Sequence, residues 1–355
     1  MSVKTVIRKV DPAAPDPETI ALAGKILKDG GLVAFPTETV YGLGGDALNA
    51  SSSKKIYAAK GRPSDNPLIV HIADPDALGL VARDIPEGAV RLMEEFWPGP
   101  LTMIFRKTEA VPTETTGGLD TVAVRLPSHP AARALIRAAG GYIAAPSANL
   151  SGRPSTTDAI HVKEDLDGRI DMILDGGESS IGLESTIVDF TEEIPVILRP
   201  GFINREMLET VLPEVRIDPG ILTENENVRP KAPGMRYRHY APKAPLIVVE
   251  GGTDDVIRAI RGYAGKAVRD GKRVAVLCSE ESAPQYEAEG GILVSPAGSL
   301  GEEESIAKHL YARLREFDAE GVDVIYSEAF DTPRLGQAIM NRLLKAAGHT
   351  VIRAE

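Results

Sequence analysis

Short apolar runs alternate with longer amphipathic stretches along most of the chain, and this alternation restricts the fold more than any other feature. Runs such as Leu32–Phe35 are too brief to supply a helix with a buried stripe, but they suit strands covered on both faces. Stretches such as Pro17–Lys28 instead repeat their apolar residues at helical spacing. Strands and helices in alternation predict an α/β protein. In the first half, strands are expected at Leu32–Phe35, Leu68–Ile72, Leu101–Phe105, Val122–Leu126, Ile143–Ala145, Met172–Leu174, Thr186–Phe190 and Val196–Leu198. Helices are expected at Pro17–Lys28, Ser53–Lys60, Glu87–Phe96, Ala131–Ala139 and Asn204–Val211, the first started by Asp16 and stopped at Gly30.

The alternation breaks between about Pro213 and Pro245, where prolines and an acidic patch give way to a basic island. From Asn227 to Val249 there is no Asp or Glu, while Arg229, Lys231, Arg236, Arg238 and Lys243 all occur. Beyond it, strands are expected at Leu246–Glu250, Val274–Cys278, Ile292–Val294 and Val322–Tyr326, and helices near Asp254–Arg269, Glu302–Ala319 and Pro333–Ala347. A chain of 355 residues has room for two such domains. The expected division is an α/β domain over 1–212, a linker over 213–244 and a smaller Rossmann-like α/β domain over 245–355. The linker's prolines restrict it, Gly234 offers a hinge, and Arg236, Tyr237, Arg238 and Tyr240 put cations beside rings. That composition suits equally a solvated spacer with incidental positive charge and a lid that folds over a pocket of the first domain, where the cations and rings would meet a phosphate and a purine.

Composition excludes several classes. Hydrophobic residues are 43% and charged residues 26% of the chain, which is ordinary for a globular protein. The N-terminal residues lack a signal peptide's apolar core, and no run approaches the roughly 20 apolar residues that span a bilayer, so a cytoplasmic protein away from membranes is expected. Cys278 is the sole cysteine, and the six histidines are scattered without a His-Glu-x-x-His pattern, so no protein-built metal site is expected. A net charge of -11 opposes tight grip on a nucleic-acid backbone. Gly42-Leu43-Gly44-Gly45-Asp46-Ala47 imitates a dinucleotide fingerprint, but Pro36–Tyr41 separates it from the preceding strand, where the fingerprint should follow directly. No Gly-x-x-x-x-Gly-Lys-Ser/Thr loop is present, so any ATP phosphates are held another way.

In the first half, loops next to expected strands are dense in polar residues, which is where α/β sheets place ligands. Pro36–Gly44, Lys60–Pro67, Pro146–Ser155 and Leu183–Thr186 supply cations, hydroxyls, amides and glycines. Singly, each reads as a turn or a helix cap. Together they suit an anionic phosphate ester and a small polar substrate.

Phe35–Gly44 (FPTETVYGLG), Lys60–Pro67 (KGRPSDNP), Trp97–Thr102 (WPGPLT), Thr121–Pro127 (TVAVRLP), Ala145–Asn149 (APSAN) and Glu184–Ile187 (ESTI) follow one another in this order. In these motifs the chain resembles the YrdC family of threonylcarbamoyl-AMP synthases. Pro233–Pro242 (PGMRYRHYAP) and Ala338–Ala347 (AIMNRLLKAA) resemble its longer, two-domain branch. The resemblance implies an open twisted YrdC-like α/β domain that joins ATP, L-threonine and bicarbonate into threonylcarbamoyl-AMP, with magnesium carried on the ATP. It implies Lys60, Arg62, Ser147 and Asn149 around the nucleotide, with Lys60 and Arg62 the catalytic cations. Asn66, Thr121, Ser155 and Arg199 would also face ATP, and Tyr237 would close over it. Arg125 would take the threonine carboxylate, with Thr37, Thr39, His71, Ala145 and Ser185 on the same side. The product would pass to a tRNA threonylcarbamoyl transferase complex, with tRNA itself not tightly bound. Two other readings stay open: an RNA-binding module of the same fold, and a carbamoyl-transfer enzyme of hydrogenase maturation.

Overall fold

Asp16 caps the first helix, α1 (Pro17–Lys28), its carboxylate accepting the Thr19 amide at 2.9 Å, and Gly30 follows the helix end with a φ of 78°. The computed structural model describes residues 3–221, 231–233, 239–288 and 290–355. The described residues within Met1–Ser151, Ser155–Ser180 and Glu184–Tyr237 form one compact unit. Those within Gly152–Pro154, Ile181–Leu183 and Arg238–Glu355 form a second. Tyr237, Gly234, Arg229, Arg236 and Arg238, on which the lid expectation rests, lie outside the described residues.

In chain order the first unit contains strands β1 (Val6–Lys9), β2 (Val33–Phe35), β3 (Gly42–Asp46), β4 (Ile69–Ile72), β5 (Ala82–Arg83) and β6 (Leu101–Lys107). It continues with β7 (Thr121–Arg125), β8 (Tyr142–Ala145), β9 (Met172–Asp175), β10 (Thr186–Asp189), β11 (Val196–Arg199) and β12 (Arg216–Ile217). They form one mixed sheet in the order β1-β9-β2-β3-β8-β4-β7-β6-β10-β11-β12, with β5 beside β6. Alternate residues of its strands serve different cores, as the two-residue period of a strand requires. On β2, Ala34 joins the main cluster while Val33 and Phe35 join the one packed with Ile20, Ala23 and Leu27 of α1. On β4, β6 and β7, Val70, Ile72, Leu101, Met103, Phe105, Val122 and Val124 face the main core. The intervening residues, Ile69, Ile104 and Ala123, form a small apolar floor on the other face together with Ile187 and Leu198.

Strand β3 was not among the expected strands, because it is built largely of glycine. It pairs antiparallel with β2, so the glycines neither follow a parallel strand directly nor open a helix, as a dinucleotide fingerprint would. A Cβ on Gly42 would lie 3.0 Å from the Phe35 ring, and one on Gly44 2.9 Å from Ile143 and 3.0 Å from that ring. Glycine at these two positions leaves room for the Phe35 ring to pack closely against the neighbouring strand.

The second unit has strands β13 (Leu246–Glu250), β14 (Val274–Ser279), β15 (Ile292–Gly298), β16 (Val324–Glu328) and β17 (Val351–Arg353). All pair in parallel in the order β15-β14-β16-β13-β17, the Rossmann-like arrangement expected. Helices Thr253–Arg269, Glu303–Glu320 and Gly336–Ala346 connect them. The last begins three residues later than the sequence suggested, after Pro333. β17 and β1 were not foreseen because both are edge strands whose exposed residues break the apolar run.

Candidate active site

Strand register gathers the polar residues of the apolar floor's face into a row. His71 of β4 pairs with Arg125 of β7, Arg125 with Thr102 of β6, Thr102 with Ile187 of β10, and Ile187 with Arg199 of β11. Directly paired residues project from the same face. At about 4.8 Å per strand, four steps from His71 to Arg199 span about 19 Å. Arg125 is only 4% exposed and Arg199 5%, so both guanidiniums are buried and must be answered by polar groups.

Arg125 meets the β2–β3 loop. Its Nη1 donates to Thr39 Oγ1 at 2.8 Å, and the Thr39 and Thr37 hydroxyls are 2.9 Å apart, with Thr37 also donating to the Val40 carbonyl at 2.7 Å. Its Nη2 lies 2.6 Å from Glu38 Oε1. That contact is short in distance but falls outside hydrogen-bonding angles, so Arg125 Nε and Nη2 and both Glu38 oxygens have no hydrogen-bond partner among the described residues.

His71 holds the start of the row. Its Nδ1 is 3.1 Å from the Ile69 carbonyl, and its ring meets Phe35 edge-on at 6.1 Å between centroids. Burial, helped by the Arg125 charge, lowers its pKa to about 3 against the pull of the Ile69 and Ile143 carbonyls, so the ring is neutral near pH 7. Ala145 pairs with Ile69 and closes β8 beside it.

At the other end, the Ser185 and Thr102 hydroxyls are 2.7 Å apart, and Arg199 donates to the Ser185 carbonyl at 3.0 Å and hydroxyl at 3.2 Å. Arg199 Nη1 also donates to the Pro233 carbonyl at 3.2 Å, and Lys231 pairs with Asp189 and Glu192 at 3.2 and 3.0 Å. The described start of the basic island is thereby held against this face of the first unit. Ser155 is buried and donates to Glu184 Oε1 at 2.5 Å, next to Ser185.

A second group forms where α2 (Ala50–Lys60) ends. Gly61 has a φ of 63°, the left-handed geometry that stops a helix, and turns the chain from Lys60 to Arg62. Lys60, 2% exposed, donates to the Ser147 carbonyl at 2.6 Å and to the Asn149 carbonyl, bracing the loop after β8. Ser147 in turn donates to Asn149 Oδ1. An isolated bridge joins Ser147 to Gly42, and the Ala148 amide donates to the Tyr41 carbonyl at 2.8 Å, tying this loop to the one that carries Thr37 and Thr39. Arg62 donates to the Asn66 and Pro67 carbonyls at 3.2 and 3.0 Å, while the buried Asn66 Oδ1 has no hydrogen-bond partner among the described residues.

The structure thus brings together Thr37, Thr39, Arg125 and His71; Ser185 and Arg199; and Lys60, Ser147 and Asn149. Arg62 and Asn66 make a further pair. Thr121 stands apart, half-buried at the start of β7 opposite Arg106, about 13 Å of strand from Arg125. The residues that reading the sequence passed over are Glu38, Thr102 and Glu184. All three lie inside the motifs quoted above, and a carboxylate in a polar loop carries no local signal that it is buried. Among the described residues, no group of three or more His, Cys, Asp or Glu could hold a metal ion, and no helix is long and apolar enough to cross a membrane.

A family model described as telomere recombination, covering Sua5, YciO and YrdC proteins, matches residues 25–201. A second, described as the threonylcarbamoyl-AMP synthase C-terminal domain, matches residues 203–348. The chain is 51% identical over 339 residues to the threonylcarbamoyl-AMP synthase of Bacillus subtilis, covering 95% of each. It is 50% identical over 334 residues to that of Pyrococcus abyssi, covering 94% of this chain and 95% of the other. A crystal structure of Pyrococcus abyssi Sua5 complexed with L-threonine matches with a TM-score of 0.93 at 48% identity, over 99% of this chain and 100% of that one. The chain therefore belongs to the Sua5/YciO/YrdC family, in the two-domain form that carries the Sua5 C-terminal domain.

Proposed function

We propose that this chain is an ATP-using nucleotidyltransferase that makes threonylcarbamoyl-AMP and pyrophosphate from ATP, L-threonine and bicarbonate. The observation that carries this reading is identity of about half, along nearly the entire length, to enzymes named threonylcarbamoyl-AMP synthase. The buried row of Arg125, Thr102 and Arg199 beside the Lys60–Ser147–Asn149 group supports it, because an RNA-binding surface would need exposed cations rather than buried ones.

In this reading the threonine ammonium loses a proton and its nitrogen bonds to the bicarbonate carbon with loss of water, giving a carbamate. A carbamate oxygen then attacks the α-phosphorus of ATP, and the bond to the bridging oxygen breaks as pyrophosphate departs with the electron pair. Two anions must approach each other, so cations and aimed donors carry the catalysis. Arg125 takes the threonine carboxylate with a planar fork suited to both oxygens. Thr37, Thr39, His71, Ala145 and Ser185 shape the amino-acid side. Lys60 and Arg62 meet the nucleotide with Asn66, Thr121, Ser147, Asn149, Ser155 and Arg199, and Tyr237 closes over it. Magnesium arrives with ATP, held by phosphate oxygens and water. The product is a labile mixed anhydride handed in the cytoplasm to a tRNA threonylcarbamoyl transferase complex, for modification of the adenosine next to the anticodon.

The test is pyrophosphate release with each amino acid in turn. Release should require threonine and bicarbonate together, with serine about 10- to 200-fold poorer for want of one methyl. Equal rates with threonine, serine and no amino acid would overturn the assignment.

A further inference from the structure

Glu38 and Arg125 form a buried ion pair with no hydrogen bond between them. Glu38 is 7% exposed and Arg125 4%, and their contact is 2.6 Å, yet Arg125 Nε and Nη2 and both Glu38 oxygens lack hydrogen-bond partners among the described residues. A pair taken out of water normally recovers its desolvation cost through good hydrogen-bond geometry. Here the charges balance while the directional bonds remain unmade, which describes a site shaped for something that is not the pair itself.

The charge balance restricts what that something is. A simple anion arriving at Arg125 displaces Glu38 and leaves a buried carboxylate without a counter-charge, which is strongly unfavourable. His71 supplies no compensating charge, since burial keeps its ring neutral. His129, which feels the Glu38 charge, has its pKa lowered by burial and is neutral as well. A zwitterion avoids the penalty, because its anionic end takes Arg125 while its cationic end takes Glu38. Arg125 need not move, since Nη1 is fixed on Thr39, itself bonded to Thr37. Glu38 sits on a loop between strands, and its side chain is held by no hydrogen bond among the described residues.

From this we infer that Glu38 is the ammonium-binding residue of the amino-acid site: the substrate carboxylate displaces it from Arg125, and its own carboxylate then receives the α-ammonium. This rests on the reading that Arg125 takes the threonine carboxylate, and it adds a specificity-determining residue to that site. Carboxylates that carry no α-ammonium are rejected by the charge they would strand on Glu38.

The experiment measures, by calorimetry on the full chain, binding of L-threonine and of 2,3-dihydroxybutanoate of matching configuration, in which a hydroxyl replaces the ammonium. Wild-type protein should bind threonine at least tenfold more tightly than the hydroxy acid. Glu38→Gln should weaken threonine about tenfold or more, leave the hydroxy acid unchanged or tighter, and so abolish the preference, with ATP binding retained as the check on folding. A Glu38→Gln protein that keeps the preference, or that loses both ligands in parallel, overturns the inference and marks Glu38 as a structural partner of Arg125 only. Should that variant not fold, the wild-type comparison still decides: equal affinity for the two ligands overturns the inference. Wild-type protein that binds no threonine overturns the functional reading as well, whereas threonine bound without a role for Glu38 overturns the inference alone.

Discussion

His71 and Arg125 are register partners across β4 and β7, so a buried imidazole stands next to a buried guanidinium on one face of the sheet. Desolvation first, and the neighbouring cation second, hold the His71 pKa down at about 3. The unfolded chain's histidine titrates near 6.5. Because the folded value is the lower one, the contribution to stability is whole above about pH 6.5 and is lost as pH falls toward 3, by at most about 1.4 kcal/mol per pH unit. Urea unfolding between pH 7 and 4.5 should show a shallower decline in His71→Gln than in wild type. Identical slopes would mean that the ring is not titrating as its burial requires.

Arg125→Ala should chiefly impair threonine use. Losing one charge-assisted contact to a desolvated anion costs on the order of 2–5 kcal/mol, or about 30-fold to several thousand-fold in affinity. The variant also leaves Glu38 buried without a cation, so its melting temperature should fall. Titrations of each substrate check this, and unchanged threonine dependence would refute the role given to Arg125.

Lys60→Ala should weaken ATP use more than threonine use, and it should also loosen the loop after β8. The ammonium donates to the carbonyls of Ser147 and Asn149, so its removal frees the loop that it braces. Arg62→Ala, which removes donations to the Asn66 and Pro67 carbonyls, should weaken ATP without disturbing that loop. Hydrogen exchange over residues 146–151 separates the two, with faster exchange expected in the lysine variant alone.

Gly44→Ala should destabilise by about 1–3 kcal/mol, because the added methyl meets Ile143 at 2.9 Å and the Phe35 ring at 3.0 Å. Gly262→Ala, inside the helix Thr253–Arg269 with nothing within 4 Å of the new Cβ, should instead stabilise by about 0.5–1 kcal/mol. Denaturant midpoints of the two variants should therefore move in opposite directions.

What the sequence determined by itself is local in character. The apolar runs of β2, β4, β6 and β7 and the capped start of α1 follow from spacing, side-chain chemistry and turn residues. So do the polar loops beside those strands, whereas the roles proposed for individual residues rest on the resemblance of the quoted motifs to the YrdC family. Strand β3 was hidden because glycine has no β propensity, and its glycines leave room for the Phe35 ring on the neighbouring strand. β1 and β17 were hidden because edge strands carry charge. The row from His71 through Arg125 and Thr102 to Arg199 was beyond any local reading, since it depends on which strands pair and in which register. The sheet order β8-β4-β7-β6-β10-β11 joins segments far apart in the chain, and packing of the alternating apolar residues sets it. Glu38 became visible as a site residue only when that packing buried its carboxylate beside Arg125, because charge is legible in a sequence and burial is a property of the folded whole.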